Sequence, residues 1–231
     1  MALRRKEKRT ERSKLDATPP WETRRPHQSA ATTGPYDVVD APSDDIDRLD
    51  LGALQIPADA GLEIRVEVGE DGQVAGITLV NPTGQMQLGV FAAPRNDGIW
   101  DEVRAEIKAS ISSQGGTVSE QEGEFGGELV GKLPAPGGFT PVRFVGVDGP
   151  RWFLRGMLAG GPADDSDAEA ATPFLETFRQ LVVVRGNDPL PVREPVPLRL
   201  PPQAADQLAQ AAAEQELAEQ QGAGSDPAPD A

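Results

Sequence analysis

The sequence predicts an α+β domain: a largely antiparallel sheet of about six to seven strands with two helices, flanked by disordered tails. Three observations predict it. Residues 62–90 alternate apolar and polar side chains across two tight-turn signals. Two later stretches, near 99–111 and 168–181, carry apolar residues at helical spacing instead. The 231-residue chain holds 25 Gly and 22 Pro, and its large apolar residues gather in the middle, leaving both ends polar.

The first strand is 62–68, with Leu62, Ile64, Val66 and Val68 apolar and Glu63, Arg65 and Glu67 polar between them. A period of two marks a half-buried strand. Asp71-Gly72 supplies the positive-φ pair of a two-residue hairpin turn. That loop sets Val68 opposite Ala75, Val66 opposite Ile77 and Ile64 opposite Leu79, with Arg65 facing Thr78 and Glu67 facing Gly76. Asn81-Pro82-Thr83-Gly84 makes the next turn. With Pro82-Thr83 as its loop, Leu79 faces Met86, Ile77 faces Leu88, Thr78 faces Gln87 and Val80 faces Gln85. The result is a meander with one apolar face, which must pack against another element.

The helix that follows is placed to cover that face. Asp97 can cap it, and Asp101 and Glu102 fall in the first turn, where the helix dipole favours acids. Ile99, Val103, Ile107 and Ile111 repeat every four residues, and Gly115-Gly116 ends the run. Weaker strands come near 117–121 and 128–133. A strong hairpin occupies 141–158, where an Asp148-Gly149 loop sets Val145 opposite Trp152 and Phe144 opposite Phe153. Both of its faces are partly apolar, so these strands read as central. A second helix, about 168–181, places Ala171, Leu175 and Phe178 on one side.

Outside this body the pattern fades. Residues 1–48 read as a disordered charged arm, 49–186 as the α+β domain, and 187–202 as a Pro-rich extended segment with six prolines. Residues 203–231 read as an Ala/Gln/Glu-rich solvated helix and a disordered tail. Charge follows the same divisions. The formal net charge is -15, yet residues 1–27 hold nine Lys/Arg against four Asp/Glu. Residues 37–50 hold six Asp and one Arg, and residues 201–231 hold six acids and no base. The basic start is where nucleic acid could be touched, although so acidic a body repels phosphate backbones. No long apolar run follows the basic start, so the expectation is a cytoplasmic protein without a membrane span.

Composition removes much chemistry. There is no cysteine, which excludes disulfides, thiol nucleophiles and zinc-cysteine sites. The single histidine, His27, lies in the arm with no fixed partner. Residues 126–132 approach a phosphate-loop pattern, but Leu133 stands where Ser or Thr would meet magnesium, and Pro134 and Pro136 forbid the helix that must follow. They read as a Gly-loosened strand. Asp164, Asp165 and Asp167 lack the spacing of a calcium loop and read as a solvated turn. No catalytic residue, cofactor or metal is therefore expected. The candidate binding cluster is Arg143, Arg151, Trp152 and Arg155, residue types common at interface hot spots and in oxyanion recognition. The competing reading makes Trp152 core and pairs the arginines with acids at the sheet margins.

Several segments resemble a known family. Gly34-Pro35-Tyr36-Asp37 with Arg48-Leu49-Asp50-Leu51-Gly52 is similar to the opening of an actinobacterial family, domain of unknown function 3710. Phe91-Ala92-Ala93-Pro94-Arg95 and Trp100-Asp101-Glu102-Val103-Arg104 resemble its middle. The run from Arg143 through Trp152 to Gly156 resembles its most distinctive segment, and Val182 to Gly186 and Pro197 to Pro201 resemble its close. The resemblance implies an actinobacterial cytoplasmic protein and supplies no reaction, cofactor or catalytic residue. The expected function is a non-catalytic protein-interaction module with an unidentified protein partner. The alternatives are a small-ligand binder or enzyme using Arg and carboxylate groups, and an accessory factor in nucleotide or nucleic-acid upkeep.

Overall fold

The computed structural model of the chain describes residues 33–69, 73–95, 98–206 and 210. In chain order the elements are β1 (Tyr36–Asp37), β2 (Arg48–Asp50), β3 (Leu54–Pro57), β4 (Glu63–Val68), β5 (Val74–Asn81), β6 (Gly84–Ala92), α1 (Trp100–Ser113), β7 (Thr117–Gly123), β8 (Gly126–Ala135), β9 (Gly138–Gly149), β10 (Trp152–Gly160), α2 (Ala168–Arg179) and β11 (Val182–Val183). A seven-stranded antiparallel sheet has the order β4-β5-β6-β10-β9-β8-β7. A four-stranded mixed sheet has the order β1-β11-β3-β2, with β1 parallel to β11. The fold is α+β with a largely antiparallel sheet and the helices α1 and α2, as the alternation and the two helical stretches predict, and residues 202–206 are helical as well.

The meander forms in the predicted register. Ile64 faces Leu79, Val66 faces Ile77, Leu79 faces Met86 and Ile77 faces Leu88. The Asn81 carboxamide fixes the second turn by accepting from the Thr83 and Gly84 N–H groups at 2.9 and 3.1 Å. One pairing differs. A register shift between Glu67 and Val68 sets Val68 opposite Val74 rather than Ala75.

Three further expectations are corrected. The apolar face of the meander is not covered by α1. Ile77, Leu79, Met86, Leu88 and Val90 pack instead with Phe174 and Phe178 of α2 and with Leu54, Ile56 and Val183 of the small sheet. Helix α1 lies on the opposite face, where Trp100, Val103 and Ile111 pack on Leu129, Val142, Phe144 and Phe153 of β8–β10. The reason is that β8–β10 are apolar on both faces, so the second face needs a helix of its own. The β9–β10 turn also falls two residues later than predicted. Gly149 faces Trp152 and Asp148 faces Phe153, so Pro150-Arg151 is the loop, with Arg151 at φ 65°. Pro at the first central position and a positive φ at the second are the demands of a type II turn. Parity is kept, so Trp152 and Val145 still share a face. Finally, the ordered chain reaches further towards the N-terminus than residue 49. Tyr36–Asp37 pairs with Val182–Val183, and Val38 N–H donates to Val183 at 3.0 Å. Residues 1–32, the C-terminal segment 211–231, the predicted Asp71-Gly72 loop and the predicted cap Asp97 lie outside the described residues.

Residues 187–200 are irregular and turn once, where Glu194 N–H donates to the Pro191 carbonyl at 3.2 Å and Arg193 sits at φ 73°, so the expected extended run is interrupted. They touch the large sheet through single bridges, Phe91 to Pro195 and Val74 to Leu198. Among the described residues no helix is long and apolar enough to cross a membrane.

Candidate functional site

The β9–β10 hairpin holds all four candidate binding residues, and the strand alternation sends them in different directions. Trp152 points into the main core, where it is fully buried, and its indole N–H donates to the buried Asp37 carboxylate at 2.7 Å. Arg143 lies on the same sheet face, towards β8, and is bidentate on Glu128 at 2.9 to 3.2 Å. Glu128 is itself buried and also accepts from the Gln121 amide at 2.8 Å. Arg143 is therefore neutralised within the chain, and Trp152 is core.

Arg155 lies on the opposite face. Its register partners are Gly146 on β9 and Gly89 on β6. These glycines are required. A Cβ at Gly146 would come within 2.6 Å of the Trp100 ring, and one at Gly89 within 2.7 Å of the Phe91 ring. Both rings fold down over the bare backbone at the two register partners of Arg155. The guanidinium carbon sits 5.1 Å from the centre of the Phe91 ring, which stacks in turn on Phe153 at 4.8 Å. Burial pushes the Arg155 guanidinium below its usual pKa. Among the described residues no carboxylate pairs with it. On that face, α1 spans β7, β8 and β9, and among the described residues no helix lies on the half formed by β4, β5 and β6. This open half presents Gln85, Gln87 and the exposed Arg65–Glu63 pair.

Arg151 occupies the turn. Its carbonyl accepts from Ala93 N–H at 2.9 Å and from the Arg185 Nε at 3.1 Å. Arg185 is buried, and its Nη1 donates to the Asp188 carbonyl at 3.1 Å. Sequence reasoning missed Arg185. Its one signal is a lone charge closing the aliphatic run 181–184.

Asp148, the residue read as a turn former, is a helix cap instead. Its carboxylate accepts from Ile99 and Trp100 N–H at 2.9 and 3.2 Å, at the start of α1. The Trp100 indole N–H donates to Gly127 at 2.9 Å and fixes the ring over Gly146. Residues 126–132 lie within strand β8, as the failed phosphate-loop pattern predicts.

A cleft of 490 Å³ opens beside the Arg143–Glu128 pair, between β7–β9 and the loop before α2, and Lys132, Ser119, Asp165 and Ser166 line it. Asp164 in that loop accepts from Ser166 N–H and hydroxyl at 3.0 and 2.8 Å, while Asp167 caps α2 through Ala170 N–H at 3.1 Å. These hydrogen bonds give two of the three loop aspartates structural roles. Among the described residues no group of three or more His, Cys, Asp or Glu is placed to hold a metal.

Residues 34–207 match the family model described as Protein of unknown function (DUF3710). The chain belongs to that family. No curated protein and no solved structure matches it. The DUF3710 match takes in both sheets, both helices, the four candidate residues and the cleft. It begins beside β1.

Proposed function

We propose that this DUF3710 protein is a non-catalytic protein-interaction module, and that the open half of the seven-stranded sheet, bordered by Arg155, is the surface it offers. One observation carries the reading. Six other arginines meet a carboxylate within 3.1 Å or less, whereas Arg155 is half-buried, set over the Phe91 ring and, among the described residues, left without one. A desolvated cation that its own chain does not neutralise gains most from an acidic group supplied by another molecule. Its guanidinium already rests over the Phe91 ring, so less side-chain entropy remains to be lost on binding. The resemblance of the sequence further supports an actinobacterial, cytoplasmic setting.

The test is capture of partners by the full chain from the native cell extract, wild type beside Arg155→Ala. The expected result is a partner at near-stoichiometric yield on the wild type that is lost on the variant, while the melting temperatures of the two agree. A partner retained equally by both would place the interface elsewhere. The 490 Å³ cleft favours a second reading, a small-ligand binder, because Lys132 lines it together with Ser119, Asp165 and Ser166. A saturable small-molecule ligand abolished by Lys132→Ala would support that reading over the first.

A further inference from the structure

We propose that the β9–β10 turn carries an oxyanion site formed by the guanidiniums of Arg151 and Arg185, suited to the phosphoryl group of a small molecule. The site is separate from the open sheet half and does not rest on that reading. Arg185 is 7% exposed, and its Nε and Nη1 donate to the carbonyls of Arg151 and Asp188, both at 3.1 Å. Those acceptors are uncharged, so the main chain aims the guanidinium without neutralising it. Burial lowers the Arg185 pKa most, and the nearby Arg151 charge lowers it further, while Asp188 acts in the opposite sense. The Nε–carbonyl bond therefore brings two cationic residues together at the turn, with Asp188 the one acidic side chain acting on Arg185. A dianion meets that excess better than a single carboxylate does, and guanidiniums match phosphoryl oxygens in geometry.

The backbone adds an independent observation. Arg151 sits at φ 65°, in the left-handed region. Gly or Asn fills the second central position of such a turn at least steric cost. A long cationic side chain kept at a strained, partly exposed position is an outlier of the kind that binding sites accumulate.

The experiment is a titration of the full ¹⁵N-labelled chain with inorganic phosphate, at ionic strength held constant with chloride. The amides of Arg151, Trp152, Gly186 and Asn187 should shift and saturate. Arg151→Gly fits the same backbone and should keep the fold, yet weaken binding by about tenfold, as loss of one charge-assisted hydrogen bond implies. Arg151→Lys should fall between the two. A parallel titration with phenyl phosphate distinguishes free phosphate from an organic monoester as the source, through whichever binds more tightly. Shifts that grow linearly without saturating would overturn the proposal. So would unchanged affinity in Arg151→Gly, or equal saturation by acetate.

Discussion

Arg143 and Arg155 show how the same side chain takes opposite roles one strand apart. Arg143 closes on the buried Glu128, and removing it would leave that carboxylate desolvated and unpaired. Arg143→Met should therefore cost about 3 kcal/mol in denaturant unfolding, and the double variant with Glu128→Met should recover much of it. An equal loss in single and double variants would show that the pair is not the cause. Arg151→Gly should do the reverse and raise stability by up to about 1 kcal/mol, because glycine relieves the left-handed backbone at φ 65°. The sequence named Arg143, Arg151, Trp152 and Arg155 as one cluster because they lie within one hairpin. It could not separate them, since the face each side chain takes and the acid it meets depend on β8 and on chain far away. The Trp152–Asp37 bond joins residues 115 apart. No local pattern announces it.

At the scale of elements, local signals were readable where they were self-contained. The β4–β5–β6 meander keeps almost every predicted pairing, because two tight turns and strict alternation point to one register. The β9–β10 turn was misplaced because Asp148-Gly149 looks like a hairpin loop, whereas the Asp148 carboxylate is engaged on α1, 48 residues upstream. Asp148→Ala should thus cost about 1–2 kcal/mol and fray the first turn of α1 in hydrogen exchange. Loss of protection spread evenly over the domain would contradict a capping role. Gly146→Ala should displace Trp100 and cost about 1–3 kcal/mol by overpacking, read from thermal unfolding. The small sheet was invisible beforehand. Its strands are two to four residues long and join both ends of the domain, so neither alternation nor a turn signal marks them. Equally, a helix shows that it needs an apolar surface but not which face of a two-sided sheet will supply it.

Across the whole molecule the net charge is -15, and among the described residues the exposed Arg65, Lys108 and Arg193 stand in ion pairs. Hydrogen bonds from Arg48, Arg65 and Lys108 hold the carboxyls of Asp44, Glu63 and Glu120 below their usual pKa values. A carboxyl whose folded pKa is depressed contributes stability above its unfolded pKa, about 4, and loses it as pH falls through the folded value. Thermal midpoints should therefore hold from neutral pH down to about pH 5 and fall below about pH 4. A midpoint that rises on acidification would mean that relief of acidic self-repulsion outweighs these pairs. The measurement that bears most directly on the proposed interface is site-specific photo-crosslinking in the native cell. A crosslinking side chain at Gln85, on the open sheet half, should trap a partner protein, and one at Glu169, on the exposed side of α2, should not. An adduct at Glu169 with none at Gln85 would contradict the assignment of the open half as the interaction surface.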